Sequence, residues 1–175
     1  MRVTELTEDD WATLRDVRLR AIDAEPAVYG RAREREQRFA ESHWRMRLRG
    51  APWFVALEDG HGVGLVGLVE EPGAGPGDRH VMGLWVAAAE RRRGVATALL
   101  AAAEARAARD GAQNVSAWLT DGDEVARALY AGRGYAPTGV RAPTPGDAGR
   151  TDERWVLTIG GRGEERPRQE QISAN

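Results

Sequence analysis

The sequence predicts an α/β domain built on a mixed sheet. Three observations carry this: apolar runs of strand length bounded by Gly, Pro and Asp turns, longer segments with apolar residues at helical spacing, and an alternation of strand and helix confined to the middle of the chain, with hairpin signals on either side. At 175 residues the chain suits one domain with one buried core, assigned to residues 1–160, and 161–175 read as a disordered tail of Gly, Glu, Arg, Gln and Pro.

Residues 3–6 form a short first strand. Thr7 followed three residues later by Asp10 resembles a capping box, and opens a helix over residues 8–22 that buries Trp11, Leu14, Val17 and Ala21. After the loop Glu25-Pro26-Ala27-Val28-Tyr29-Gly30, a charged helix is expected over residues 33–49, with Phe39, His43 and Met46 sharing one face. The runs 53–57 and 63–69, joined by Glu58-Asp59-Gly60-His61-Gly62, make a hairpin. A Gly- and Pro-rich loop at 72–77 leads to a strand over 80–86, whose alternation places His80, Met82, Leu84 and Val86 on one face. An Ala-rich helix follows from Gly94 to Asp110, closed by Gly111 and packing by Val95, Leu99 and Ala102. A strand at 115–119, a short helix at 123–131, and strands at 134–140 and 154–159 complete the sheet, and no internal repeat is present.

Composition excludes several classes of function. A formal charge of −2, with 42% hydrophobic and 30% charged residues, fits a globular chain that binds no nucleic acid. All 25 basic residues are Arg, a coding bias that lowers the weight of any single arginine cluster. Without cysteine there is no disulfide, no thiol nucleophile and no Cys-ligated metal. The N-terminus lacks a signal-peptide core and no stretch reaches membrane-spanning length, so no membrane partner and a cytoplasmic location are expected.

The segment Arg91-Arg92-Arg93-Gly94-Val95-Ala96 joins a strand to a helix. A helix N-terminus has unpaired N–H groups and a positive dipole end, and small residues at Gly94 and Ala96 let a pyrophosphate approach the backbone. It is neither a Walker loop nor a three-glycine dinucleotide fingerprint. Taken alone, the four residues 91–94 fit a solvated basic helix start as well. The longer run from Leu84 to Leu100, Leu84-Trp85-Val86-Ala87-Ala88-Ala89-Glu90-Arg91-Arg92-Arg93-Gly94-Val95-Ala96-Thr97-Ala98-Leu99-Leu100, resembles the acyl-CoA motif of the GNAT superfamily of N-acetyltransferases, and the resemblance continues in order over residues 5–159.

The resemblance implies a mostly antiparallel mixed sheet of six to seven strands flanked by about four helices, with strands 4 and 5 splayed around a CoA site. It implies acetyl-CoA as co-substrate, no metal, and a family-level expectation of a homodimer. The turn residues Arg91, Arg92, Arg93, Gly94, Val95, Ala96 and Thr97 would hold the CoA pyrophosphate, and the strand residues Leu84, Trp85 and Val86 the pantetheine arm. Asp123, Ala126, Tyr130 and Gly134-Tyr135 correspond to the family's Asn, Ala, Tyr and Gly-Phe. Asp123 departs from the pattern, because an ionised carboxylate only accepts hydrogen bonds; it suits a helix N-cap as well as a cofactor contact.

Direct acetyl transfer needs a neutral amine, a stabilised oxyanion and a proton for the departing thiolate. By resemblance Tyr130 supplies that proton; by spacing alone it is a core residue. His80, eleven residues before Arg91, is the candidate base, with a loop-capping surface histidine as the alternative. Glu70 and Glu71 are alternatives acting through water, or solvated turn residues. Tyr29, Trp44, Glu70 and Met82, with Trp85, are candidate walls of an acceptor site, and the aromatic ones fit a core equally. The implied activity is acetylation of a small primary amine in a ternary complex. A peptide N-terminus or protein lysine acceptor, and a silent acyl-CoA-binding module, are the alternatives.

Overall fold

The computed structural model describes residues 1–26, 32–71, 73–145 and 147–160. Seven strands form a single sheet in the order β1-β2-β3-β4-β5-β7-β6. They are β1 Arg2–Glu5, β2 Trp53–Glu58, β3 His61–Val69, β4 Asp78–Val86, β5 Asn114–Thr120, β6 Ala136–Thr144 and β7 Asp147–Thr158. Every pairing is antiparallel except β4 with β5. Five α-helical segments are described: α1 Trp11–Ala24, α2 Ala32–Glu36, α3 Glu41–Gly50, α4 Val95–Arg109 and α5 Glu124–Gly132. The mixed, mostly antiparallel sheet is the predicted one, with one helical segment more than expected. Tyr29 and the segment 161–175 lie outside the described residues. Among the described residues no helix is long and apolar enough to cross a membrane.

Strand alternation sorts the apolar side chains into two layers. Phe54, Ala56, Val66, Leu68, Val81 and Val86 meet α4 through Val95, Leu99, Leu100 and Ala103, and the same layer continues to Tyr130, Tyr135 and Trp155. On the opposite face Trp53, Val55, Leu65 and Trp85 meet Leu14, Val17 and Ala21 of α1 and Trp44 and Leu48 of α3. Two buried faces explain why β2 and β3 read as continuous apolar runs.

The charged segment expected as one helix is two. Phe39 N–H and Arg38 N–H bond the carbonyls of Glu36 and Arg35, and a new helix starts beyond Ala40. The break lets Glu36 turn inward, 1% exposed, where its carboxylate accepts from Arg18 at 3.1 Å and from Arg47 at 2.9 Å. Burial raises the pKa of Glu36, but the two arginines overcome it and hold the carboxyl below its usual range. The expected apolar face is corrected too. Met46 is 58% exposed, while Trp44 and Leu48 are the residues that α3 buries. An ion cluster, invisible to helical periodicity, decides where this segment breaks.

The last two strands are longer than expected, forming a hairpin in which Arg141, Ala142 and Pro143 pair with Glu153, Asp152 and Thr151. Polar residues dominate there because β6 is the sheet edge and almost wholly exposed, so it lacks the apolar signal that marks a strand.

Candidate active site

Strand β4 is the axis of the site. It pairs with β3 from His80 to Val86, but with β5 only at Asp78, Arg79 and His80, opposite Asn114, Val115 and Ser116. Beyond His80 the two strands part, and β5 continues on its other side with β7 as far as Thr120. The β4 edge from Val81 onward therefore keeps unpaired backbone groups facing a cleft, and such groups demand partners. This is the predicted splay.

A bulge sits in the middle of the strand. Leu65 and Gly67 of β3 face Trp85 and Met82, so β4 carries one residue more than its partner. Gly83 absorbs the irregularity at φ +64°, and a Cβ there would lie 3.2 Å from Arg18 Nη1. The bulge corrects the face predicted from alternation. Leu84 and Val86 join Val81 in the α4 layer, whereas Trp85 belongs to the α1 layer. His80 and Met82 thus lie on the opposite face from Leu84 and Val86, since one inserted residue inverts the side-chain phase.

The strand ends in the turn singled out from sequence. Arg92 has φ +64° and Gly94 φ +80°, so two left-handed residues within three positions fold the chain back before α4 begins at Val95. A left-handed arginine is costly, by roughly 1–2 kcal/mol, and such strain persists where surrounding structure fixes it. As the first residues of α4, Val95, Ala96 and Thr97 have N–H groups with no carbonyl a turn behind them. No atom lies within 4 Å of the Cβ position at Gly94, which leaves the approach to those N–H groups clear.

The arginines of the turn differ in role. Arg91 donates through Nε to the Val86 carbonyl at 3.1 Å and pairs with Glu25 at the end of α1 at 2.5 Å. It is a strut between β4, α1 and the turn. Arg93 pairs with Glu90 and, at 3.5 Å, with Glu58. Arg92 makes no ion pair among the described residues.

Asp123 is the N-cap of α5, its Oδ1 accepting from Ala126 N at 2.9 Å. This is the capping alternative weighed from sequence, and it occupies one carboxylate oxygen while leaving the other open. Ala126 packs against the α4 layer, and Tyr130, 5% exposed, stands edge-on to Tyr135 at 5.0 Å. Burial, reinforced by the nearby Glu104 carboxylate, pushes the Tyr130 phenol well above its usual pKa. It keeps its proton across the physiological range, where the hydroxyl is available as a donor or acid.

At the other end of β4, His80 Nδ1 lies 3.0 Å from Ser116 Oγ, and Ser116 Oγ lies 3.3 Å from the Arg79 carbonyl. Burial lowers the imidazole pKa; the Glu71 charge works against this and the Arg154 charge adds to it, leaving a net depression. Glu71 lies two residues beyond β3, and its carboxylate accepts from Trp118 Nε1 at 2.6 Å and from Arg154 Nε at 3.2 Å. Although burial raises its pKa, the Trp118 hydrogen bond and the His80 and Arg154 charges hold the carboxyl low. Glu70 is a solvated residue, 3.6 Å from Arg79. A cavity of about 400 Å³ opens here, lined by Glu70, Glu71, Asp78 and the loop from Gly73 to Pro76.

Of the candidate acceptor walls, Met82 is 36% exposed on the His80 face, whereas Trp44 is completely enclosed. Trp44 therefore serves packing, stacked under the Arg47 guanidinium at 5.0 Å, rather than walling an open site. Sequence reasoning missed Ser116, Trp118 and Arg154. A single polar residue inside the apolar run Val115-Ser116-Ala117 is the one signal that pointed to Ser116. Among the described residues no group of three or more His, Asp or Glu side chains could hold a metal ion.

The sequence matches the Acetyltransferase (GNAT) family over residues 11–135. The chain belongs to this family and is an acetyltransferase. No curated protein sequence matches it significantly. Among solved structures, ribosomal-protein-alanine N-acetyltransferase from Brucella melitensis is similar at TM-score 0.73 and 19% identity, covering 91% of this chain and 100% of that one. An aminoglycoside 6'-N-acetyltransferase complexed with coenzyme A gives 0.71 and 16%, covering 94% and 100%. The PaiA N-acetyltransferase from Thermoplasma acidophilum, in complex with coenzyme A, gives 0.66 and 14%, covering 90% and 98%. At these identities the likeness concerns the fold.

Proposed function

We propose that this acetyltransferase binds acetyl-CoA along the open edge of β4 and transfers the acetyl group to the primary amine of a small molecule. The observation that carries the reading is the continuity of the splayed β4 edge with the exposed turn from Arg91 to Thr97. Unpaired strand groups lead directly to unpaired helix N–H groups, a backbone track from an amide-bearing arm to a pyrophosphate. Leu84, Trp85 and Val86 flank the arm; Gly94, Val95, Ala96 and Thr97 hold the phosphates through the backbone, with Arg92 as countercharge. Asp123 and Ala126 open the helix that carries Tyr130.

Acetyl-CoA supplies an activated acyl carbon: the amine lone pair forms the C–N bond, the C–S bond breaks, and the products are an amide and free thiol. The chain's own residues manage the protons. A primary amine with a pKa near 10.4 is neutral in only about one molecule per few thousand at pH 7, which adds about 4–5 kcal/mol to the barrier. His80, kept neutral by its surroundings, accepts the amine proton directly or through one water. Tyr130, kept protonated, donates towards the departing sulfur. With no cysteine in the chain, attack within a ternary complex is the route adopted.

Incubation with acetyl-CoA and a panel of amines, with release of free thiol as readout, tests the reading. Turnover with small amines is expected. Tight acetyl-CoA binding without turnover on any amine would replace it with a silent binding module, and turnover on peptides alone would move the acceptor class. Tyr130→Phe should lower kcat with little change in acetyl-CoA affinity; an unchanged kcat removes Tyr130 from the acid role.

A further inference from the structure

We propose that Ser116 is a positioning residue for His80: its hydroxyl donates to the Arg79 carbonyl, accepts from His80 Nδ1–H, and so holds the tautomer whose Nε2 lone pair takes the amine proton. The inference rests on the reading of His80 as the base and adds to it the group that makes it one.

The chemistry follows from a count of hydrogens. Ser116 is 1% exposed, so its single hydroxyl hydrogen has no solvent outlet and must go to the Arg79 carbonyl at 3.3 Å or to His80 Nδ1 at 3.0 Å. Donation to Nδ1 would leave the neutral ring protonated at Nε2, with no free lone pair. Donation to the carbonyl makes the serine oxygen an acceptor for Nδ1–H, and Nε2 is then the basic nitrogen. Nε2 carries no hydrogen bond within the described residues and is not sealed from solvent.

A carboxylate is the commoner orienter of an imidazole, and one is close by in Glu71. Its Oε1 accepts from Trp118 and its Oε2 from Arg154, and the group at hydrogen-bond distance from Nδ1 is the serine hydroxyl. The difference has a consequence. A neutral orienter fixes the tautomer without stabilising the imidazolium as a bonded carboxylate would, and the base remains unprotonated at neutral pH. Glu71 from the loop after β3 and Arg154 from β7 act on the ring with opposite sign, and Asp78 lies 3.9 Å from Arg154. The parallel pairing of His80 with Ser116, the last before the strands part, sets the two side chains side by side at the apex of the cleft.

Tautomers are read directly by long-range ¹H–¹⁵N correlation on the full chain labelled with ¹⁵N, above the imidazole titration. The three histidines are distinguished by the spectrum of His80→Gln. The expected wild-type pattern is His80 protonated at Nδ1 with an unprotonated Nε2. Ser116→Ala should move the proton to Nε2 and lower kcat by about tenfold or more, with acetyl-CoA affinity unchanged. Ser116→Thr, which keeps the hydroxyl and suits a strand, should restore both. A wild-type ring protonated at Nε2, or a tautomer indifferent to Ser116→Ala, overturns the proposal. If His80→Gln leaves kcat and its pH profile untouched, the base reading falls and the positioning role falls with it. If His80→Gln stops turnover while Ser116→Ala alters neither tautomer nor kcat, only the positioning role is lost.

Discussion

The two halves of β4 are built on opposite principles. From Asp78 to His80 the strand pairs with β5, and His80 pairs with β3 as well; the polar features there are side chains held by their neighbours, an imidazole on a serine and, beside it, the Glu71 carboxylate on a tryptophan and an arginine. From Val81 to Val86 it is paired on one side only, and the available groups belong to the backbone, continuing into the turn before α4. A site assembled from backbone tolerates side-chain substitution but not a change of backbone conformation. One assembled from side chains behaves the opposite way.

Substitutions at either end sharpen this contrast. The largest effect is expected for His80→Gln, a fall in kcat of about 10²–10⁴ with acetyl-CoA affinity unaltered, measured by steady-state kinetics and calorimetry. Gly94→Val forces a branched side chain into a left-handed position and onto the open approach to the helix N–H groups; acetyl-CoA should bind about tenfold more weakly or worse, with kcat at saturation close to wild type. Equal losses in kcat and affinity from either variant would erase the distinction between the two halves.

The pH profile separates them further. In its proposed role His80 acts as a base only when neutral, and its surroundings hold its pKa below the ordinary 6.5, so kcat should hold through neutral pH and fall on the acid side below that value. Arg154 opposes the imidazolium, so Arg154→Gln should move the acid limb upward; Glu71 favours it, so Glu71→Gln should move the limb downward. Each displacement should be about half a pH unit, and Arg92→Ala, at the other end of the strand, should displace nothing. The smallest effect belongs to Asp123. Asp123→Asn keeps the cap of α5 and should alter stability by less than about 0.5 kcal/mol, whereas Asp123→Ala should cost about 1 kcal/mol in thermal or denaturant unfolding.

Much of this was legible in order along the chain. Apolar runs located β2, β3 and β5, and Gly94 and Gly111 bracketed α4, because these features follow from local periodicity and backbone chemistry. Three readings failed for non-local reasons. The helix expected over 33–49 breaks because Glu36 pairs with Arg18, eighteen residues earlier. The side-chain phase of β4 inverts at a bulge visible only against β3. The outer hairpin runs through polar residues because an edge strand has little to bury.

The sequence by itself determined the α/β class, the position of the glycine turn before α4 and the presence of His80 and Tyr130 in a family pattern, since each is written in contiguous residues. Only the tertiary structure decided what those residues can do. Arg91 became a strut once α1 brought Glu25 to the turn. Trp44 became packing once α3 closed over β2. His80 met Ser116, 36 residues distant, because one parallel pairing ends there.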